Sequence, residues 1–248
     1  MRPSLMQRIA LLLPGLALLA CSDDPSDLGD VSLQLASHNA ASVATPGTAG
    51  QLLIAVGDDE IVLDQVGLVL RKVRLEGAST EPCPEEDEGD PRCGELEFGP
   101  VLFELPLGEG AEGLISAAVP IGSYTGLKFQ LHRPTNANED AEFVADHPEF
   151  EGVSIRALGT WNGEPFTFTS DLTDVESLAF DDQLEVTADG ELPLTLLVEV
   201  GDWFASGEGG LVNPSEASGG GPLESLVERQ IRESFRAFRD GNEDGSPD

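Results

Sequence analysis

Oxygen-bearing side chains recur near the C-terminal end of the sequence with the spacing of a cation-binding loop. Asp240, Asn242 and Asp244 occupy alternate positions and Gly245 follows, which is the order D-x-[DN]-x-[DN]-G. Hard oxygen ligands in this order converge on one cation, because the glycine permits a sharp turn. Calcium is the expected cation, with a weak affinity of about 10⁻⁴–10⁻³ M.

Residues 240–248 resemble the first half of the calcium loops of EF-hands, dockerins and thrombospondin type 3 repeats. The resemblance implies a set of metal ligands: the side chains of Asp240, Asn242 and Asp244, the backbone carbonyl of Ser246, and Asp248. A helix that leads directly into the loop is the expected context for such a site. The alternative is an acidic tail in which Asp, Asn and Gly residues end that helix without binding metal. Both interpretations stay open at the level of the sequence.

A second group of polar residues lies in the segment 133–150, RPTNANEDAEFVADHPEF. Its candidate ligand residues are Glu139, Asp140, Glu142, Asp146 and His147. Loops at the ends of β-sandwiches carry ligand contacts, and paired carboxylates can perform acid–base catalysis, as in glycoside hydrolysis. Nothing in the sequence fixes two of these carboxylates at a defined separation. Ligand binding, metal binding, catalysis and a solvated loop therefore all remain open for this segment.

The cysteines and the charge limit the class of protein. Cys83 and Cys93 enclose a short acidic segment, and an even pair in an oxidising compartment predicts a disulfide. A metal site is the alternative, although two cysteines without a neighbouring histidine form a weak zinc site. The chain has 46 acidic and 13 basic residues, a formal charge of −33. This charge repels nucleic acid, so we expect no nucleic-acid partner.

Residues 1–20 have the organisation of an export signal. Arg2 and Arg8 form a positively charged start, and an apolar stretch from Ile9 to Leu19 follows. This stretch is short for a membrane span, which needs about 20 residues, and the A-x-A site of ordinary signal peptides is absent. The sequence Leu18-Leu19-Ala20-Cys21 resembles the lipobox of bacterial lipoproteins.

The lipobox resemblance implies that Cys21 is diacylated and becomes the first residue of the mature protein in the cell envelope. Ser22 follows the cysteine, and by the same resemblance it favours the outer membrane over the inner membrane. The membrane is then a partner through a palmitate-type anchor, at about 0.8 kcal/mol per buried methylene. Residues 21–30 are expected to form the lipidated cysteine and a polar tether.

Apolar and polar residues mostly alternate with period two between residues 31 and 204, which predicts β-strands. Asn162-Gly163 predicts a type I′ hairpin turn between two of them. In the run from Ile61 to Leu75 the apolar residues change faces, which predicts a bulge near Arg71 and Lys72. Roughly nine to ten short strands predict an all-β fold, an antiparallel β-sandwich of residues 31–204.

The C-terminal part has a different pattern. Residues 205–221 are rich in Gly and Ser, which predicts a flexible linker. Over residues 222–239, apolar residues such as Leu223, Val227 and Ile231 recur at helical spacing. This spacing predicts one amphipathic helix before the acidic tail.

Residues 119–129, VPIGSYTGLKF, resemble a turn pattern, (V/L)P-x-G-x-Y-x-x-L-x-F, of secreted bacterial lipoproteins with prealbumin-like or immunoglobulin-like sandwiches. The motif is structural: Tyr124 is expected to bury its ring while its hydroxyl bonds backbone, and Leu127 and Phe129 are expected to face the core. Most members of this type have no assigned function. One similar branch consists of periplasmic copper-binding partners, whose Trp and His content this sequence lacks.

The sequence predicts no catalytic residues, because its histidines lack HExxH spacing and it contains neither G-x-S-x-G nor a Gly-rich phosphate loop. The expected function is that of a non-catalytic envelope lipoprotein whose sandwich is a structural module or binds an unknown protein or glycan. One alternative is a protein that binds calcium or another divalent metal. The other is a hydrolase of cell-wall or polysaccharide material that uses the 133–150 loop.

Overall fold

The computed structural model describes residues 28–37, 44–46, 50–77, 94–97, 99–108, 110–207 and 209–248. Cys21, Cys83 and Cys93 lie outside these ranges, as does the signal segment 1–20. Lipidation and the disulfide therefore stay predictions.

Within the described residues, thirteen strands form two sheets, and the predicted β-sandwich is confirmed. The four-stranded sheet has the order β13-β12-β1-β7 and consists of β1 (Leu28–Ser37), β7 (Ala111–Pro120), β12 (Leu192–Val198) and β13 (Phe235–Arg239). The nine-stranded sheet consists of β2 (Ala44–Pro46), β3 (Leu52–Val56), β4 (Asp59–Gly77), β5 (Glu95–Glu97), β6 (Val101–Glu104), β8 (Gly122–Leu131), β9 (Ile155–Trp161), β10 (Glu164–Ser170) and β11 (Asp174–Val186). Two short helices, α1 (Ala141–Asp146) and α2 (Glu224–Glu233), lie in the connections.

The core lies between the sheets, and many of the described strands contribute alternate side chains to it. In β1, for example, Val31, Leu33 and Leu35 are at most 1% exposed. Phe129 of β8 and Phe235 of β13 contact each other across the core, edge to face, with their ring centroids 5.2 Å apart. The alternation seen in the sequence therefore arises from one buried face in each sheet.

One strand pair differs from the predicted antiparallel arrangement. β1 and β12 run parallel, with Val31 opposite Leu192 and Ser37 opposite Val198. Parallel neighbours need a long crossover connection. Here the chain between β1 and β12 forms β7 and the strands of the nine-stranded sheet. The remaining described strand pairs are antiparallel.

The predicted bulge in β4 is confirmed. Arg71 pairs with Gln130 and Arg74 pairs with Lys128, so Lys72 and Val73 together oppose one residue of β8. Lys72 has a φ of +51°, a left-handed conformation that disfavours side chains other than glycine. The extra residue lets β4 keep Val73 in the core after the change of face.

Two further local predictions are confirmed. Asn162 and Gly163, between β9 and β10, have φ values of +49° and +84°, as a type I′ turn requires. The Tyr124 ring is 4% exposed, and its hydroxyl donates a 2.7 Å hydrogen bond to the Pro120 carbonyl. Leu127 and Phe129 lie in the core as expected.

The predicted helix 222–239 is divided in the structure. α2 ends at Glu233, and residues 235–239 form β13, which pairs with β12. Phe235 and Ala237 are buried while Arg236 between them is exposed, an alternation that suits a strand. The edge of β12 supplies backbone partners that a longer helix would not use, and tertiary pairing overrides the helical spacing.

The segment 205–221, predicted as a flexible linker, instead packs on the sandwich over its described residues. Val212 is 4% exposed and Ala217 is completely buried. The Gln230 side-chain amide of α2 donates a 2.6 Å hydrogen bond to the Ala205 carbonyl. A few apolar residues within a Gly/Ser-rich sequence therefore anchor this connection to the core.

Candidate functional sites

Asp240, the first residue of the predicted metal loop, is completely buried. The Thr195 hydroxyl donates a 3.0 Å hydrogen bond to its Oδ2. The backbone N–H groups of Asp244 and Gly245 donate to Oδ1 and Oδ2 at 3.2 and 2.8 Å. Gly245 has a φ of +82°, so the turn that presents these donors favours glycine. The Asp240 carboxylate therefore ties the loop to β12.

The other predicted metal ligands also make contacts within the loop. The Asn242 amide donates to Asp244 Oδ2 at 3.0 Å, and the Ser246 N–H donates to Asp244 Oδ1 at 2.9 Å. Asp248 Oδ2 accepts from the Gly241 N–H at 2.9 Å and lies 3.6 Å from the Arg239 guanidinium. The loop is folded and internally hydrogen-bonded, and calcium binding by it stays a prediction.

The candidate loop 133–150 forms α1 flanked by two 3-10 turns, Asn138–Asp140 and Pro148–Phe150. It has a small apolar core of its own, in which Phe143, Val144 and Phe150 pack against Val69 of β4. This packing covers the outer face of the nine-stranded sheet beside β4 and fixes the loop on it. The apolar residues therefore anchor the segment, while Glu139, Glu142 and Asp146 remain exposed to solvent.

Asp140 is the buried residue among the five loop candidates. It is 5% exposed, and its Oδ1 lies 2.9 Å from Nε2 of His132, which is 9% exposed. The Thr135 N–H donates a 3.1 Å hydrogen bond to Oδ2 of the same carboxylate. The pair joins the end of β8 to the loop, so both groups have a structural role. His132 was not among the predicted loop residues, and its position directly after β8 was the available signal.

The remaining four loop candidates do not converge on one point. Glu139 Oε1 forms an ion pair of 2.7 Å with the Arg71 guanidinium. Glu142 and Asp146 are exposed, and the half-buried His147 ring packs 4.9 Å from the Phe143 ring. The structure thus brings together Asp140 and His132, and it leaves the other carboxylates on the surface.

Among the described residues, three carboxylates outside the predicted sites lie within 4.8 Å of one another: Asp171, Glu224 and Glu228. Glu224 and Glu228 are one turn apart on α2, and Asp171 follows β10. Each contacts a neighbouring group: Arg133 contacts Asp171 at 2.6 Å, the Gly220 N–H donates to Glu224 at 2.8 Å, and the Ser170 hydroxyl donates to Glu228 at 3.0 Å. The i, i+4 glutamate pair was visible in the sequence.

Basic residues gather on the outer face of the nine-stranded sheet, around a cavity of about 380 Å³. The lining consists of Lys72, Arg74, Glu95, Lys128, Phe129, Gln130 and Val175. Arg74 and Lys128 are directly opposite each other on β4 and β8. The sequence does not reveal this group, because its members come from separate strands.

Burial raises the pKa of Glu176, which pairs with Phe129 in the β8–β11 ladder. Asp174 raises this pKa further and Arg232 opposes the shift. Arg232 also contacts Asp174 at 2.7 Å and so links α2 to β11. Because the folded state favours the protonated form of Glu176, its ionisation lowers stability as the pH rises through the raised pKa.

The comparisons with known proteins leave the family open. No protein-family model matches the chain, and no curated protein matches it. Among solved structures, MbnP from Methylosinus trichosporium is distantly similar, with a TM-score of 0.43 and 10% identity over 82% of this chain and 88% of MbnP. A likeness of this size supports no conclusion about function. Among the described residues, no helix is both long and apolar enough to cross a membrane.

Proposed function

We propose that this protein is a non-catalytic lipoprotein of the cell envelope, whose β-sandwich is a binding module held at the membrane surface. The observation that carries the proposal is the short separation in sequence between Cys21 and β1, which begins at Leu28. Leu28 is seven residues after Cys21, so the chain between them spans at most about 25 Å when fully extended. A lipid on Cys21 would therefore keep the sandwich close to the bilayer, and Ser22 favours the outer membrane.

The arrangement of strands suits a ligand that approaches from the side away from the membrane. Leu28 pairs with Pro120, so the tether leaves the sandwich beside the β7–β8 turn. From Gly122 to Leu131, β8 leads away from this turn over about 30 Å. The 133–150 loop follows Leu131 at the distal end. A protein or glycan partner would meet this end first.

The non-catalytic part of the proposal is supported by the same loop. Asp140 contacts His132 and Glu139 contacts Arg71, so these carboxylates serve contacts within the protein. Incubation of the full chain with peptidoglycan fragments and polysaccharides is expected to yield no product. Product formation that Glu142→Ala abolishes would support the hydrolase instead.

Lipid attachment is tested by labelling. In a bacterial host grown with labelled palmitate, the full chain is expected to incorporate label and to sediment with membranes. Cys21→Ala removes the acceptor thiol, so both signals are expected to fall to background. Cys83→Ala is the matched control, and it is expected to keep the label. Label that persists in Cys21→Ala would refute the anchor.

A second candidate function is binding of a divalent cation, and the trio Asp171, Glu224 and Glu228 favours it. Its carboxylate oxygens lie within 4.8 Å of one another, so one cation could contact all three. The C-terminal loop is the other candidate location, with calcium as the cation. Ligands that bind only the folded state raise the midpoint of thermal unfolding, which gives a common test for both.

The test compares the unfolding midpoint of the full chain in EDTA and in millimolar calcium. We expect calcium to raise the midpoint by a few degrees, about 2–4 °C per kcal/mol for a chain of this size. Loss of the rise in Glu228→Gln would locate the cation at the trio, and loss in Asp244→Asn would locate it at the C-terminal loop. An unchanged midpoint in the unmodified protein would remove this candidate function.

A further inference from the structure

The cavity on the outer face of the nine-stranded sheet concentrates positive charge in an acidic protein. The sequence contains two lysines, Lys72 and Lys128, and both line this cavity together with Arg74. The chain has 13 basic residues against 46 acidic ones, so acidic neighbours are the expectation for any surface patch. Among the described residues, three cations and one carboxylate, Glu95, line this one. The charge of this described lining is thus opposite in sign to that of the whole chain.

The strand register forces two of these cations together. Arg74 on β4 and Lys128 on β8 are paired residues of adjacent antiparallel strands. Like charges directly opposite each other destabilise a sheet, whereas opposite charges stabilise it. Lys128 Nζ lies 3.8 Å from Glu76 Oε1, which compensates part of the repulsion. Within the described residues, no hydrogen bond or ion pair of the Arg74 side chain is found.

The β4 bulge adds the third cation. Lys72 occupies the bulge with a φ of +51°, a conformation in which glycine would be the least strained residue. The bulge brings Lys72 into the lining of the cavity together with Arg74 and Lys128. The bulge also buries Val73 completely, between the cavity-lining residues Lys72 and Arg74.

The other walls of the cavity are neutral. Gln130 contributes an amide, and Val175 is an apolar side chain that is 52% exposed. Val175 pairs with Gln130 across the β8–β11 ladder, so the apolar and polar walls adjoin. The cavity volume of about 380 Å³ is that of a small-molecule site.

We propose that this cavity binds a small multivalent oxyanion, a molecule that carries phosphate or several carboxylate groups. Charge-assisted hydrogen bonds from Arg74, Lys72 and Lys128 would hold the oxyanion, and the Gln130 amide can donate a further bond. At about 0.15 M salt the screening length is about 8 Å. Acidic residues beyond this distance are then screened, and within the described lining the three cations outnumber the one carboxylate, Glu95.

The experiment is a calorimetric titration of the full chain with pyrophosphate and, separately, with citrate, at neutral pH and constant ionic strength. The double variant Arg74→Gln/Lys128→Gln removes two lining cations, and affinity is expected to fall at least about tenfold. Arg229→Gln/Arg236→Gln removes the same charge from exposed positions elsewhere and is the matched control. Its affinity is expected to stay close to that of the unmodified protein.

The unfolding midpoint shows whether each variant is folded. In anion-free buffer we expect the unfolding midpoint of Arg74→Gln/Lys128→Gln to be no lower than that of the unmodified protein, because the double variant removes a like-charge pair. If that variant does not fold, Arg74→Gln alone replaces it. Binding of both anions would mean that the cavity recognises the oxyanion chemistry they share. Binding of pyrophosphate alone would identify a phosphate ligand, and binding of citrate alone would identify a polycarboxylate ligand. No heat with either anion up to about 10 mM, or equal affinity in the two double variants, would overturn the proposal.

Discussion

Asp240→Ala is expected to lower the free energy of unfolding by about 3 kcal/mol, with or without calcium. The carboxylate is completely buried and accepts hydrogen bonds from Thr195, Asp244 and Gly245. Thr195 is also completely buried, so its hydroxyl would lose its partner away from water. A buried donor left without an acceptor costs about 1–3 kcal/mol, which makes the effect large for one surface loop.

Urea unfolding of the full chain in EDTA and in millimolar calcium measures this effect. Asp244→Ala is the control, because Asp244 belongs to the same loop but is exposed. We expect it to cost less than about 1 kcal/mol in EDTA. If Asp240→Ala destabilises the protein only when calcium is present, Asp240 acts as a metal ligand and the structural role assigned to its hydrogen bonds is wrong.

The features that the sequence predicted are local. The Asn162-Gly163 turn follows from the backbone angles that these two residues tolerate, and the β4 bulge follows from a change of apolar face over a few positions. The burial of Tyr124 follows from a short motif, because the Pro120 carbonyl that accepts a hydrogen bond from the Tyr124 hydroxyl is only four residues away. In each case the residues that decide the conformation are neighbours in the chain.

The features that the sequence missed depend on partners far away in the chain. Phe235 and Phe238 fit a helical period, but β12 offers an edge on which residues 235–239 are more stable as β13. The parallel pairing of β1 with β12 is likewise set by the whole sheet. Local spacing does not distinguish these outcomes, since the competing backbone partners are not in the same segment.

The candidate sites show the same division. Composition identified the acidic segments 133–150 and 240–248, but it did not reveal that Asp140 and Asp240 are their buried members. Burial depends on His132 and Thr195, which belong to strands rather than to the acidic segments. The cavity with Lys72 and Lys128 exists only because β4 and β8 are neighbours.

Trp203→Ala is expected to lower the free energy of unfolding by about 4 kcal/mol, since Phe or Trp truncations in cores cost about 3–5 kcal/mol. Trp203 is completely buried, and its indole N–H donates a 2.9 Å hydrogen bond to the hydroxyl of Ser234, directly after α2. The truncation therefore removes core volume and a contact between the sandwich and the C-terminal region.

Circular dichroism in urea measures this change, and Trp161→Ala is the matched control because Trp161 is only half-buried at a strand end. We expect the control to cost less than half as much as Trp203→Ala. One cooperative transition in both variants means that residues 205–239 unfold with the sandwich, as expected from buried Val212, Ala217 and β13. If Trp203→Ala instead shows a separate transition at lower urea concentration, α2 and the segment before it unfold as an independent unit. The contact between Trp203 and Ser234 would then be their main attachment to the sandwich.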